Sequence, residues 1–423
     1  MNATLVLFGS FALLSLIRVP IAISLGLSSL LALNMIDFTL YPVIQKMFSS
    51  LNNATLMAIP GFVFAGIIMS KGGISYYLIE ALKAWIGHIR GGLAVVTILA
   101  CMVFAAISGS SPATAAAIGS IMIPGMVNAG YSKRYAMGLV AAAGTLGILI
   151  PPSIPLIIYG AVSEQSIGKL FSAGIIPGLL LGGILLVSAI IHARINNYGS
   201  LPKQTMQERI KKSGKAIWGF LLPIIILGGI YTGAVTPTEA AIVASAYGFV
   251  VSVFIYREMN VKKFVEVLKE SINITSMIYL IIASATVFGM FLTTEQIPQD
   301  FTAWIEHSTT NKWIFLIGIN LLFFVLGMFL ESIAIILITL PILLPALALF
   351  DINVIHFAII MTINMEFAMI TPPVGLNLFV VSGISKVKVG EVVKGVVPFF
   401  GLMLIAFILV MIFPGISLLL TGD

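Results

Sequence analysis

Apolar residues along this chain run in long blocks separated by short polar stretches. Crossing a bilayer as a helix asks for about 20 apolar residues. Blocks of that length fall at roughly 4–33, 52–70, 135–160, 170–194, 216–233, 238–256, 272–294, 354–382 and 396–420, which predicts nine crossings. Two further apolar regions, about 92–128 and 312–350, break near the middle into halves of about 16–18 residues. Halves that short fit re-entrant helical hairpins better than paired spans. Two stretches carry a different pattern. Val43, Ile44, Met47 and Leu51 make one apolar stripe within 40–51, and Phe264, Val265, Leu268 and Ile272 make another within 261–272. Such amphipathic segments belong at the membrane interface, as arms beside the spans.

Composition narrows the class. Of the 423 residues, 59% are hydrophobic and 9% charged, against about a quarter charged in soluble domains. The reading is an all-α polytopic membrane protein. One cysteine, Cys101, rules out an internal disulfide framework. The four histidines (His88, His192, His307, His356) sit near segment ends, and no His/Cys/carboxylate cluster has metal-ligand spacing. The net charge of +6 resides mostly in loops and reads as an orientation signal rather than nucleic-acid affinity. No basic region precedes the first apolar run and no small-residue cleavage site follows it, so that run is read as a first membrane helix.

Basic residues set the expected orientation. The longest polar stretch, 194–215, carries Arg194, Lys203, Arg209, Lys211, Lys212 and Lys215 and is placed in the cytoplasm. Alternation then puts 257–269, Lys386, Lys388, Lys394, Lys133 and Arg134 inside, and 295–311 outside. This holds only with both broken regions re-entrant, and it puts the N-terminus inside and the C-terminus outside.

Shifted by 221 residues, the chain resembles itself. Pro124 falls on Pro345, "IPP" at 150–152 on "TPP" at 371–373, and Gly174 and Pro177 on Gly395 and Pro398. Asn52 falls on Asn273, Thr55 on Ser276, Ser111 on Ser332, and the first amphipathic arm on the second. One helix, 216–233, lies between the copies, and a single extra crossing inverts the second copy. Inverted repeats are characteristic of secondary transporters, with the site at the repeat interface near the midplane.

The repeat pairs two hairpin tips, "SGSSP" (108–112) and "GMFLES" (327–332). It also pairs two broken helices, "GTLGILIPPSIP" (144–155) and "MEFAMITPPVGLN" (365–377). A double proline lacks two N–H groups and clashes with the preceding turn. Carbonyls freed at membrane depth must be satisfied or must line a cavity. Unwound carbonyls and hydroxyls suit a small hard cation, and half-helix N-termini suit an anionic substrate. The plainer reading of the small residues is close helix packing; the paired Pro-Pro breaks favour the ion and substrate reading.

At these residues the chain resembles the large membrane subunit of the tripartite ATP-independent periplasmic (TRAP) transporters, the DctM-like family. The resemblance covers essentially the whole chain and is most specific in "SGSSPATAAAIGSIMIPGM" and "GILIPPSIPLIIYG", with "ITPPVGLNLFV" and "TPTEAA" (236–241) in support. It implies a sodium-driven, elevator-type importer in the bacterial inner membrane. It implies two protein partners: a small four-helix (DctQ-like) membrane subunit, expected as a separate chain, and a periplasmic substrate-binding protein that delivers an organic acid. Sialic acid and C4-dicarboxylates are the leading substrate classes.

The expected organisation is scaffold helices and arm in 1–91, hairpin and broken helix of the transport domain in 92–160, and scaffold helix and cytoplasmic loop in 161–215. A linking helix at 216–233, scaffold and arm in 234–311, the second hairpin and broken helix in 312–382 and a last scaffold helix in 383–423 complete it. By resemblance, a first sodium site uses Ser108 and Ser110 with carbonyls near Gly147, Ile150 and Pro152. The 221 shift places Glu331, Thr371 and Pro373 opposite Ser110, Ile150 and Pro152, and with Ser332 and Gly375 these make a second site. Ser111, Ser153 and Asn377 lie beside these ligands as candidate substrate contacts.

Two deep acids need separate readings, since carboxylates at membrane depth are costly. Glu331 is expected to ligate sodium, with a structural hydrogen bond as the alternative. Glu366, opposite Thr145 in the repeat, is read as a proton site, a gating charge or, preferred, a structural acid at the unwound chain. Glu239 follows Thr-Pro-Thr and reads as helix-start chemistry. Arg18 interrupts the first apolar block and reads as a scaffold or interfacial group. The rival to a coupled importer is a facilitator or channel working without sodium or binding protein. An intramembrane serine enzyme lacks a base, since Asp37, Asp300, Asp351 and Asp423 lie in loops or at the terminus. No nucleotide-binding loop supports direct ATP drive.

Overall fold

The computed structural model describes residues 3–196, 198, 200–309 and 311–422. Asp423 lies outside the described residues. Every regular element among them is helical. In order these are α1 (Ala3–Leu16), α2 (Ile21–Met35), α3 (Leu40–Leu51), α4 (Ala58–Lys71) and α5 (Ile74–Ile86). Next come α6 (Gly92–Ser108), α7 (Ser111–Asn128), α8 (Lys133–Thr145), α9 (Ile154–Ser163) and α10 (Ile167–Ile195). The second half opens with α11 (Met206–Tyr231), α12 (Pro237–Val250), α13 (Val261–Thr294), α14 (Ile297–Ser308) and α15 (Lys312–Gly327). It closes with α16 (Ser332–Leu349), α17 (Val354–Met369), α18 (Leu376–Ser385), α19 (Val389–Ile412) and the short α20 (Gly415–Leu418).

Among the described residues, six helices are long and apolar enough to cross a membrane: α10, α11, α12 with its π-helical extension to Ile255, α13, α16 and α19. The pair α4 and α5, bent by 60° at its break, would make a seventh. Nine crossings were expected, and the difference lies in blocks made of two shorter helices: 4–33, and the broken helices within 135–160 and 354–382. The block 4–33 is two helices, α1 and α2, packed on each other. Between them Arg18 takes φ 65°, and Pro20 withdraws an N–H and turns the preceding residue away from helix. The basic stretch 194–215 is loop only in its first part, because α11 begins at Met206, capped by Thr205 and Glu208. Helices α5 and α14 were not foreseen. Helix α16, expected as half of a hairpin, is itself of spanning length.

The two arms differ. The first is a separate helix, α3, with Val43 buried and Ile44 exposed. The second is no separate arm: 261–272 continues into the span as one 34-residue helix, α13, about 51 Å long. Its expected apolar stripe is not its buried side. Val267 and Ser271 face the protein, while Val265, Leu268 and Ile272 are exposed. Lys71 reaches Glu270 at 2.7 Å and pins this end of α13 to α4.

Small residues and hydroxyls explain the closest packing. Helices α4 and α12 run in register, with Thr238 donating to the Ala54 carbonyl (2.8 Å), Ser245 to Gly61 (2.8 Å) and Ser252 to Ile68 (3.3 Å). A Cβ on Gly61 would sit 2.8 Å from that of Ala241, so glycine is what lets the backbones approach. "TPTEAA" starts α12 as the sequence suggests. Glu239 accepts from the Thr236 N–H (2.7 Å) and the Thr236 hydroxyl accepts from the Glu239 N–H (3.3 Å), a capping box. Glu80 takes Lys212 at 2.8 Å and Lys83 at 3.3 Å, tying α5 to α11.

Candidate functional site

Both Pro-Pro sequences interrupt a helix. After α8 the chain makes a 3₁₀ turn over Leu146–Ile148, passes Pro151 and Pro152, and restarts as α9. After α17 it passes Pro372 and Pro373 and restarts as α18. The Pro151–Pro152 and Pro372–Pro373 bonds are both cis. In the first break Pro151 lacks the N–H that a continuous helix would offer the Gly147 carbonyl. The Ile148 carbonyl is taken by the Ser153 hydroxyl at 2.5 Å. That hydroxyl also caps α9 by accepting from the Leu156 N–H at 3.4 Å.

Helices α6 and α7 pack on each other, and their junction sits in this break. Gly109, at φ 60°, ends α6. Its carbonyl accepts from the Ile154 N–H at 3.4 Å. A Cβ on Gly109 would lie 2.8 Å from the Pro152 oxygen, and one on Gly147 would lie 2.6 Å from the Ser110 oxygen and 2.8 Å from Thr114 Oγ1. Glycine at both positions therefore allows main chain to meet main chain. The Ser108 hydroxyl lies 2.9 Å from that of Thr114, which reaches the Ser110 carbonyl at 2.9 Å. The tertiary structure thus brings together Ser108, Ser110, Gly147 and Pro152 of the first expected set. Ile150 is adjacent, its side chain directed at Gly178 of α10. The oxygens gathered here are the Ser108 and Thr114 hydroxyls and several main-chain carbonyls, a hard donor set. Thr114 was missed by sequence reasoning, though its place one turn after Ser110 was legible.

The second half is related but looser. The Val374 N–H donates to the Met328 carbonyl at 3.1 Å, so this hairpin tip also meets its break. Thr371 donates its hydroxyl to the Phe367 carbonyl at 2.6 Å. Gly375 takes φ 42°, and a Cβ there would be 2.9 Å from the Thr371 oxygen. Glu331 precedes α16, half-buried, and makes no side-chain cap. The buried Ser332 hydroxyl has no partner among the described residues. No hydrogen bond joins Glu331 or Ser332 to Thr371, Pro373 or Gly375 among the described residues. Pro373 is exposed, whereas its counterpart Pro152 is buried. The expected second set is therefore adjacent but not closed.

The three expected substrate contacts are engaged with protein. Ser111 donates to Asn377 Oδ1 at 3.1 Å, and Asn377 Nδ2 donates to the Ala141 carbonyl at 3.0 Å. Ser111, Asn377 and Ser153 are all fully buried. Ser111 and Asn377 stitch α7, α8 and α18 together, and Ser153 holds the first break. A second buried amide pair was not foreseen: Asn364 Nδ2 reaches the Asn320 carbonyl and Oδ1 at 2.9 and 3.0 Å, joining α15 to α17. Glu366 is completely buried, and neither carboxyl oxygen has a hydrogen-bond partner among the described residues. It faces Thr145, whose hydroxyl is committed to the Ala142 carbonyl at 2.7 Å. Arg18 is exposed at the α1–α2 turn, away from both breaks.

Comparisons with known proteins follow this geometry. A family model described as "Tripartite ATP-independent periplasmic transporter, DctM component" matches residues 8–416. The chain is 47% identical over 398 residues to a C4-dicarboxylate TRAP transporter large permease protein of Pseudomonas aeruginosa, covering 94% of this chain and 93% of that one. It is 38% identical to a sialic acid TRAP transporter large permease protein of Vibrio cholerae, covering 89% and 88% of the two chains. Among solved structures, the Alcanivorax borkumensis YdaH transporter superposes with a TM-score of 0.63 at 14% identity over 98% of both chains. That likeness speaks to fold alone.

Proposed function

The chain belongs to the DctM component family of tripartite ATP-independent periplasmic transporters, and from that premise we propose a sodium-coupled, elevator-type importer of C4-dicarboxylates. It is a multi-pass membrane transporter and not an enzyme. The reading of the substrate rests on the 47% identity to a C4-dicarboxylate permease; sialic acid is the second class to assay. The partners in this reading are a separate small membrane subunit and a periplasmic binding protein that hands over the organic acid. The proposed orientation, in the inner membrane, has the N-terminus in the cytoplasm and the C-terminus in the periplasm.

The observation that carries the ion reading is the docking of the Ser108–Ser110 tip into the first helix break. It supports a sodium site built from Ser108, Ser110 and carbonyls of Gly147, Ile150 and Pro152. The tip and break oxygens serve one cation only while tip and break stay together, so sodium would fasten one to the other. The mirrored set, Glu331, Ser332, Thr371, Pro373 and Gly375, would close around a second ion, and its looser state here is consistent with an acid awaiting a cation. Cross-packing supports the inverted repeat: α8 packs on α19 while its 221-shifted mate α17 packs on α10, the mate of α19. Residues 92–160 and 312–382 would form the moving domain, with re-entrant tips, and the other segments the scaffold.

The test is uptake in vesicles containing this chain, its small subunit and its binding protein, with and without a sodium gradient, repeated with Ser110→Ala and Glu331→Ala. Sodium-dependent malate uptake that falls in both variants is expected. Uptake indifferent to sodium, or flux without the binding protein, would replace the coupled importer with a facilitator.

A further inference from the structure

A cavity of about 700 Å³ opens between two sets of helices. One wall is α3, the turn after it and the last part of α13; the other is α9 and α16. The walls differ in chemistry. From α9 and α16 come Ile158, Ala161, Val162, Leu337 and Pro341, all apolar. From the opposite wall come all the polar groups, Lys46, Ser50, Asn53, Thr286, Thr293 and Thr294, interspersed with apolar Leu56, Ile282, Ala285 and Met290, with no acid anywhere in the lining.

Two groups on the polar wall are unspent donors. Lys46 is exposed and has no ion pair among the described residues, whereas Lys71, Lys83 and Lys212 each meet a glutamate. Asn53 uses its Oδ1 to accept the Thr55 N–H at 2.8 Å, and its NH₂ makes no hydrogen bond among the described residues. The hydroxyls of Ser50, Thr286, Thr293 and Thr294 donate to carbonyls of their own helices at 2.8–2.9 Å, leaving their oxygens as acceptors. A cation and an amide donor with no competing acid suit a carboxylate, and the hydroxyl oxygens suit a hydroxyl on the same small molecule. The volume falls within the range of small-ligand clefts. Ser111, Ser153 and Asn377 are tied to protein, and this cavity offers further groups to the same acid.

We propose that this cavity is a substrate-binding cleft in which Lys46 and Asn53 hold a carboxylate of the incoming hydroxy-acid. This deepens the importer reading and rests on it. The polar wall lies on the set read as scaffold, and Ile158, Leu337 and Pro341 of the apolar wall lie on the set read as mobile. An apolar face can then move past the held anion without breaking hydrogen bonds, which suits a waiting position ahead of the ion-coupled step.

The experiment is malate uptake in phosphatidylcholine vesicles, and again with phosphatidylglycerol added, at low and high salt. Lys46→Gln should raise the half-saturating malate concentration about tenfold with little change in maximal rate, and lose the salt sensitivity of the parent protein. Lys46→Arg should restore it. Asn53→Asp keeps the acceptor for the Thr55 N–H but sets a negative oxygen where the NH₂ stood, and should raise it further. Lys46 is exposed and Asn53 half-buried, and gel filtration with the small subunit checks the fold. An unchanged half-saturation in Lys46→Gln and Asn53→Asp overturns the cleft while leaving the importer intact. A shift confined to phosphatidylglycerol vesicles assigns Lys46 to lipid phosphate and also overturns it. Parent protein that carries neither malate nor sialic acid removes the functional reading, and the cleft with it.

Discussion

Adding one methyl group at Gly147 is the sharpest perturbation the first helix break allows. An alanine Cβ there would lie 2.6 Å from the Ser110 oxygen, 2.7 Å from the Ser110 carbonyl carbon and 2.8 Å from Thr114 Oγ1. Two of these are main-chain atoms of the hairpin tip, which cannot swing aside as a side-chain end can. Either the tip withdraws or the break deforms. Overpacking of this kind costs about 1–3 kcal/mol, a factor of roughly 5–150 in the population of the docked tip. Since the proposed sodium ligands come from both tip and break, the docked population sets the apparent sodium affinity. Gly147→Ala should raise the half-saturating sodium concentration of uptake by that factor and weaken sodium-dependent thermal stabilisation of the purified complex. Gly125→Ala and Gly183→Ala are the controls, because a Cβ at either meets nothing within 4 Å. A Gly147→Ala protein with the sodium dependence of the controls would refute the reasoning, since the tip would then be free to move without affecting the ion.

Three further outcomes follow from the packing. Asn377→Ala leaves the buried Ser111 hydroxyl without its acceptor at 3.1 Å and should cost about 1–3 kcal/mol, read as a lowered melting temperature in detergent. Glu366→Gln keeps the shape of the buried acid and should leave folding and uptake near the parent level, while Glu366→Ala opens a void and should destabilise. Loss of uptake in a well-folded Glu366→Gln would instead give the acid an ion or proton role. Thr236→Ala dissolves the capping box of α12 and should lower stability by about 0.5–2 kcal/mol, with sodium dependence unchanged; altered sodium dependence would mean α12 belongs with the moving helices.

What was legible in the sequence is what local chemistry dictates. Long apolar blocks at the expected spacing force helices, because main-chain polar groups in hydrocarbon must pair within the segment. Pro151–Pro152 and Pro372–Pro373 cannot sit inside a helix, so both breaks were fixed by residue type. "TPTEAA" wrote its own cap. Even the missed α1–α2 turn had its signals in Arg18 and Pro20, outweighed by the apolar runs on either side. The continuity of α13 was hidden for the opposite reason: an amphipathic start and an apolar end change the pattern without breaking the helix.

Tertiary structure alone decided what meets what. No local rule places Gly109 on Pro152, Gly147 on the Ser110 carbonyl, or Asn377 between Ser111 and Ala141, because these contacts join segments tens to hundreds of residues apart. Nor does residue type say whether a hydroxyl is free or spent. Ser153 and Ser111 read as candidate substrate groups in sequence, and only the fold shows that each hydroxyl donates to a protein acceptor, the Ile148 carbonyl and Asn377 Oδ1. Lys46 falls in the first amphipathic arm and Asn53 at the start of the 52–70 block, and only the approach of α9 and α16 makes them part of the wall of a cavity. The sequence determines which atoms are available, and the packed structure determines which of them remain unsatisfied.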